Sequence, residues 1–149
     1  MDPVRDDLVE TWEHVGGRLL HRMAGLTEAE WRRQPAADAR LSLRWRLDHL
    51  AEVLWAERNT VWLGTGIAGA PGPPATSAGE AVDRVRRGLA HVTGMVRELT
   101  DPGLLAPVGA AAGGYAAATR LSFVLHLLDE FIHHSAEAAL LRDLCPGIR

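Results

Sequence analysis

The segment from Leu121 to Leu144 contains neither glycine nor proline, and its apolar residues recur every three or four positions. This spacing predicts one long α-helix. At about 100° per residue, the apolar positions divide between two sides of that helix. One predicted side contains Leu121, Leu125, Leu128, Ile132 and Ala139, and the other contains Phe123, Leu127 and Leu141. A helix that is apolar on two sides requires cover on both, which favours a protein built from packed helices.

The second side of this helix also contains ionisable residues. Glu130, His134 and Glu137 lie among Phe123, Leu127 and Leu141 on the helical projection. Burying groups that bind protons or metals is costly unless they have partners. This side of the helix is therefore the strongest indication of a functional site in the sequence.

Three earlier segments show the same helical spacing of apolar residues. The first predicted helix runs from Pro3 to Gly25, the second from Leu43 to Leu63, and the third from about Ser77 to Leu99. Ser42 is a suitable N-cap for the second helix, and Gly64 is suited to end it. The pair Gly16-Gly17 in the first helix predicts a bend or a close approach of another helix.

The remaining segments connect these helices. The capping-box pattern Thr27-Glu28-Ala29-Glu30 predicts a short extra helix that ends before Pro35. Gly64–Thr76 is rich in glycine and proline, and Asp101–Ala118 lacks periodicity, so we expect both to be loops without a core of their own. The fold class predicted is all-α: a four-helix bundle with the short helix between its first two helices, in a single domain over residues 1–149.

Composition narrows the possible functions and locations. The formal net charge of −3 provides no basic surface for nucleic acid. No apolar run approaches the length of a membrane span, and the acidic start of the chain is unlike a signal peptide, so we expect a cytoplasmic protein without membrane association. Cys145 is the single cysteine, which excludes an internal disulfide framework.

A candidate metal site follows from the spacing of ionisable residues on the second and fourth helices. Glu130 and His134 are four residues apart, so they project from one side of the helix at a separation of about 6 Å along its axis. His49 on the second helix could face them. Two imidazoles and one carboxylate form a reasonable ligand set for a divalent metal with one position left open. Glu–His pairs at this spacing also occur as solvated pairs, and we expect His126 and His133 to lie on the surface.

Two segments of the chain resemble a known family. Val124–Glu137 together with Leu140–Leu144 is similar to the last helix of DinB-like proteins, and Ser42–Leu50 is similar to the start of their second helix. The resemblance covers essentially the whole chain. It implies a four-helix bundle, often a homodimer, and a divalent metal, most commonly zinc or nickel.

The resemblance also implies which residues hold the metal. In this family one histidine of the second helix and two histidines, four apart, on the fourth helix bind it. His49 matches the first of these ligands and His134 matches the last, while Glu130 stands in place of the middle histidine. A carboxylate is a harder ligand than imidazole, so the replacement shifts the preference away from the softest metals.

Relatives within the wider superfamily include S-transferases and isomerases that use a low-molecular-weight thiol such as mycothiol or bacillithiol. The resemblance thus implies a metal-dependent thiol S-transferase, or a hydrolase, acting on a small electrophilic molecule. Arg46 lies near His49 in the sequence and is a candidate contact for an anionic substrate, although we expect it to be an exposed residue. The alternative is a non-catalytic dimeric bundle that binds a small molecule or a partner. Helices with two apolar sides and five tryptophans favour a homodimer in either case.

Overall fold

The computed structural model describes residues 1–145, and within this range the protein is helical with no β-strand. The all-α prediction is therefore confirmed. The α-helices are α1 (Pro3–Met23), α2 (Glu28–Arg32), α3 (Leu43–Trp55), α4 (Glu57–Leu63), α5 (Ala78–Arg97), α6 (Asp101–Leu105) and α7 (Arg120–Asp143). Two 3₁₀ turns, Ala39–Leu41 and Ala110–Tyr115, lie in the connections.

Helices α1, α3, α5 and α7 enclose the core. Both α5 and α7 pack against α1 and also against α3, so each of the four long helices has two long neighbours. Among the largest side chains buried between them are Trp12 from α1, Leu50 from α3, Met95 from α5 and Phe131 from α7. Trp12 and Phe131 contact each other at a ring-centroid distance of 5.5 Å. None of the helices in the described range is both long and apolar enough to span a bilayer.

The predicted second long helix is two helices, so the expectation of a continuous helix over Leu43–Leu63 is wrong. The helix stops at Ala56, whose backbone is not helical (φ −54°, ψ 125°), and α4 starts at the next residue, Glu57. The fully buried Asn59 explains how the break is stabilised, because its side-chain amide donates to the carbonyl oxygens of Val53 and Leu54 at 2.9 and 3.2 Å. Gly64 ends α4 with a positive φ of 67°, as its sequence position predicts.

Glycines allow two close helix contacts. A Cβ on Gly16 would lie 3.0 Å from Leu89 Cδ1, and one on Gly88 would lie 2.9 Å from Leu54 Cβ. Gly16 therefore marks a close helix approach, one of the two alternatives that the sequence offered, and α1 continues through it as a single helix from Pro3 to Met23. Gly88 brings α5 close to α3 just before the break at Ala56.

The segment Asp101–Ala118 is not the structureless loop that the sequence predicted. It begins with α6, capped by the Thr100 side chain, and Leu104 of this helix is fully buried. The chain then folds back on itself, with Val108 N–H donating to the carbonyl of Ala118 at 2.8 Å. The prediction failed because Leu104, Val108 and the small Ala112 suffice to pack this segment against the long helices without producing a periodic pattern.

Helix α7 has the predicted extent, but its orientation about its own axis differs from the prediction. Leu125 was expected on a covered side and is 48% exposed. The buried residues of α7 are Phe123, Val124, Leu127, Leu128, Phe131 and Ala138. The packing of α1 and α3 therefore buries residues of both predicted sides, Leu128 from one and Leu127 from the other, and leaves Leu125 outside.

Candidate metal centre

His49, Glu130 and His134 converge between α3 and α7. His49 Nε2 lies 3.1 Å from His134 Nε2, and His134 Nε2 lies 3.5 Å from Glu130 Oε2. One ligand atom from each of the three residues lies within 4.8 Å of the other two. The helices are responsible for this convergence, because one turn of α7 separates Glu130 from His134 and α3 packs directly along that side.

The spacing of these atoms fits a divalent metal ion. A metal bound to imidazole nitrogen at about 2.0–2.1 Å with tetrahedral angles separates its ligand atoms by about 3.3 Å. Two of the three observed separations, 3.1 and 3.5 Å, lie on either side of that value, and the third, between His49 and Glu130, is within 4.8 Å. His49, Glu130 and His134 would be the residues that hold the metal, and three protein ligands would leave a fourth position open to a small molecule.

Glu137 fixes the ring of His134. Its Oε2 lies 2.7 Å from His134 Nδ1 and 2.9 Å from Arg46 Nη1. Burial would raise the pKa of Glu137, but the hydrogen bond with His134 and the positive charge of Arg46 outweigh burial and lower it. An ionised carboxylate only accepts hydrogen bonds, so the His134 proton resides on Nδ1 and its Nε2 lone pair faces His49. A carboxylate–histidine pair of this kind orients and strengthens a metal-binding imidazole.

His49 is oriented by a stacking contact, and its environment favours the neutral imidazole. Its ring stacks on Trp45 with a centroid distance of 4.8 Å and an interplanar angle of 17°. Burial, together with the neighbouring His134, lowers the pKa of His49 below its usual value. A lowered pKa keeps the imidazole unprotonated at neutral pH, which metal ligation requires.

Several residues around the centre were not assigned correctly from the sequence. Arg46 is not an exposed residue, since its side chain is 11% exposed and pairs with Glu137. The sequence places Glu137 on the same side of α7 as His134, but it does not predict that Glu137 is the partner of His134. The i, i+3 spacing of His134 and Glu137 is the signal that could have indicated it. His126 and His133 are exposed, as predicted.

A second cluster of potential ligands overlaps the first. His133, His134 and Glu137 also bring one ligand atom each within 4.8 Å of the others, and His133 Nε2 lies 3.3 Å from Glu137 Oε1. In this cluster the Glu137 carboxylate already accepts from His134 and Arg46, and His133 is exposed. The first cluster has the more sheltered ligands and free lone pairs, so it is the better candidate centre.

The structure thus defines an all-helical protein with a candidate divalent-metal centre between α3 and α7. A comparison with protein families matches residues 11–138 to the DinB superfamily. The chain belongs to the DinB superfamily. No match was found among curated proteins or among solved structures.

Proposed function

We propose that this protein is a divalent-metal-dependent enzyme of the thiol S-transferase type, in which His49, Glu130 and His134 hold the metal. The observation that carries the proposal is the convergence of two imidazole Nε2 atoms and one carboxylate oxygen at separations of 3.1 and 3.5 Å. Membership of the DinB superfamily supports it. Zinc and nickel suit a set of two imidazoles and a carboxylate.

The residues of the chain perform distinct tasks in this proposal. A divalent metal in the centre would supply Lewis acidity that lowers the pKa of a bound thiol or water. Glu137 and Arg46 hold His134 in the tautomer whose Nε2 points inward. Glu130, whose side chain is 38% exposed, lies on the more open side of the centre, where a low-molecular-weight thiol and a small electrophile can approach.

The geometry also favours one competing function. At 3.1 Å the two Nε2 atoms can share a proton in a direct hydrogen bond, which would close a polar network from His49 through His134 and Glu137 to Arg46 without any metal. In that case the residues serve packing specificity, and the protein is a non-catalytic bundle that binds a small molecule or a partner. Metal content distinguishes the two functions.

The test begins with metal analysis of protein purified with zinc or nickel supplied during growth. We expect close to one metal ion per chain in the wild type, and loss of the metal in His49→Ala and His134→Ala. His126→Ala is the matched control, because this exposed histidine lies on the same helix outside both clusters. Unchanged metal content in both ligand variants would contradict the centre.

The second step of the test measures conjugation. The metal-loaded protein is mixed with mycothiol, bacillithiol or glutathione and a small fluorogenic electrophile, and formation of the thioether is followed. We expect turnover with one of the thiols, loss of turnover after chelation, and recovery when the metal is restored. A protein that retains its metal but turns over none of these thiols would contradict the S-transferase activity while leaving the metal centre in place.

A further inference from the structure

A pocket lies next to the candidate metal centre and is not part of it. It has a volume of about 320 Å³ and is bounded by α4, the start of α7 and the segment before α7. His126 belongs to its lining and precedes Glu130 by four residues on α7. The pocket therefore begins about one helical turn, or roughly 6 Å along the helix axis, from a proposed metal ligand.

Three aromatic side chains, Trp62, Tyr115 and Phe123, contribute to the pocket wall. Trp62 and Phe123 pack together at a ring-centroid distance of 4.7 Å, and Tyr115 lies 6.3 Å from Trp62. Tyr115 is 69% exposed, so its ring stands at the mouth of the pocket rather than in the core. Ligand sites typically have volumes of about 300–1,000 Å³ and mostly apolar linings. A planar apolar molecule suits these walls.

The segment between α6 and α7 forms the remaining wall and is fixed by backbone hydrogen bonds. Gly109 N–H donates to the carbonyl of Ala116 at 3.0 Å, and Arg120 N–H donates to that of Ala106 at 3.0 Å. These bonds fold residues 106–120 back on themselves and present Val108 and Tyr115 toward α4. Because the segment is tied at both ends, the wall exists without a ligand.

One positive charge stands at the pocket and has no acidic partner. The Arg58 guanidinium lies 5.5 Å from the ring centre of Trp62 and 5.9 Å from that of Phe123. Among residues 1–145, no carboxylate forms an ion pair with Arg58, and none of the described residues that line the pocket is acidic. A guanidinium held against aromatic faces keeps its donors free for a planar carboxylate, which it can bind in a bidentate manner.

We propose that this pocket binds a small organic acid, with an aromatic or other planar apolar body against Trp62, Phe123 and Tyr115 and its carboxylate on Arg58. The pocket then indicates the substrate class of the proposed enzyme. This class is an electrophilic arylcarboxylic or similar apolar acid, bound one helical turn from the metal. This role in catalysis rests on the proposed function. The binding itself needs no metal and is measured separately.

The experiment uses isothermal titration calorimetry on full-length protein freed of metal by chelation. The probes are 2-naphthoate and 2-naphthamide, which have nearly the same shape and differ in charge. We expect the wild type to bind the acid about tenfold more tightly than the amide, since a charge-assisted hydrogen bond is markedly stronger than a neutral one. Arg58→Gln should remove this preference. Arg86→Gln, an exposed arginine on α5 away from the pocket, should keep it.

A second variant tests the aromatic wall. Tyr115→Ala removes an exposed ring, so folding should be preserved, and it should weaken both probes by a similar factor. Circular dichroism confirms the fold of each variant. Absence of binding to the wild type, equal affinity for acid and amide, or a preference that survives in Arg58→Gln would overturn the proposal. If His49→Ala loses its metal but still binds the acid, the pocket proposal is supported independently of the metal centre. If the wild type holds a metal but does not bind the acid, the pocket proposal alone is contradicted.

Discussion

His49 Nε2 and His134 Nε2 lie 3.1 Å apart although the two residues are separated by 85 positions in the chain. This separation suits both a shared proton and two ligands of one metal ion. His134 Nδ1 is committed to Glu137, so its Nε2 is the free nitrogen in either case. The chemistry of the protein depends on whether the two histidines share a proton or bind a metal ion.

Glu137→Gln should weaken metal binding without removing a ligand. The neutral amide no longer fixes the His134 proton on Nδ1, and loss of such a carboxylate partner typically costs about 10- to 100-fold in metal affinity. Affinity is measured by competition with a chromophoric zinc chelator. Glu52→Gln is the control, because Glu52 is 70% exposed and lies 3.9 Å from His49 Nδ1, beyond hydrogen-bonding distance. Equal affinities for wild type and Glu137→Gln would show that Glu137 does not support the centre.

Glu130→His should increase zinc and nickel affinity by about tenfold or more, because a third imidazole matches the preference of these metals better than a carboxylate does. Glu130→Gln should decrease the affinity, since the amide is a weaker ligand than the carboxylate. Both are measured by the same competition titration, with the metal-free fold checked by circular dichroism. If neither substitution changes affinity, Glu130 is not a ligand.

Glu30→Gln should lower the free energy of unfolding at pH 7 by about 2–4 kcal/mol, because Arg142 would lose its buried partner. Glu30 is 4% exposed, and its Oε1 accepts from Arg142 Nε at 3.0 Å. Burial alone would raise the pKa of Glu30, but hydrogen bonds from Thr27 and Arg142 outweigh burial and lower it below its usual 4.5.

A lowered folded-state pKa makes this contribution depend on pH in a defined direction. The stabilisation by Glu30 is fully present above the usual pKa of 4.5 and is lost as the pH falls through the lower folded-state value. Urea unfolding should therefore show a larger difference between wild type and Glu30→Gln at pH 7 than near pH 3. The exposed Glu98→Gln serves as control and should have little effect at either pH. A difference that grows on acidification would refute this account.

Two glycines of α5 should respond oppositely to alanine. In Gly88→Ala the new Cβ would lie 2.9 Å from Leu54 Cβ, and the overpacking should cost about 1–3 kcal/mol in unfolding free energy. Gly94→Ala lies in the same helix with no atom within 4 Å of the new Cβ, so it should stabilise the protein by about 0.5–1 kcal/mol. Chemical denaturation of both variants measures this. If Gly88→Ala leaves the free energy of unfolding unchanged, α3 and α5 can move apart without loss of stability.

The homodimer remains a prediction, and the exposed leucines of α7 provide its test. Leu125 and Leu140 are 48% and 58% exposed and lie about 60° apart around the helix axis. We expect a dimer at micromolar concentration in sedimentation velocity, and a dissociation constant at least about tenfold weaker for Leu140→Glu, because a charge would be buried. Leu105→Glu, at an exposed leucine on α6, should leave the dimer unchanged. A monomeric wild type would contradict the prediction.

The sequence by itself indicated where α2, α3 and α5 begin. Ser42 and Thr27 each accept the expected hydrogen bond from a backbone N–H at a helix start, because capping is a local interaction between residues three positions apart. Local spacing also placed Glu130 and His134 on one side of α7. The break at Ala56 could not be predicted in this way, since it depends on Asn59 reaching back to two carbonyl groups in a buried environment.

The tertiary structure alone decided which groups meet. Periodicity shows that α7 has two apolar sides, but only the packing of α1 and α3 determines that Leu125 faces outward. The partnership of Arg46 with Glu137 likewise requires the packing of α3 on α7 at one register. Sequence patterns report interactions within a few residues along the chain, whereas the candidate metal centre and the pocket beside it depend on distances across helices that no local pattern encodes.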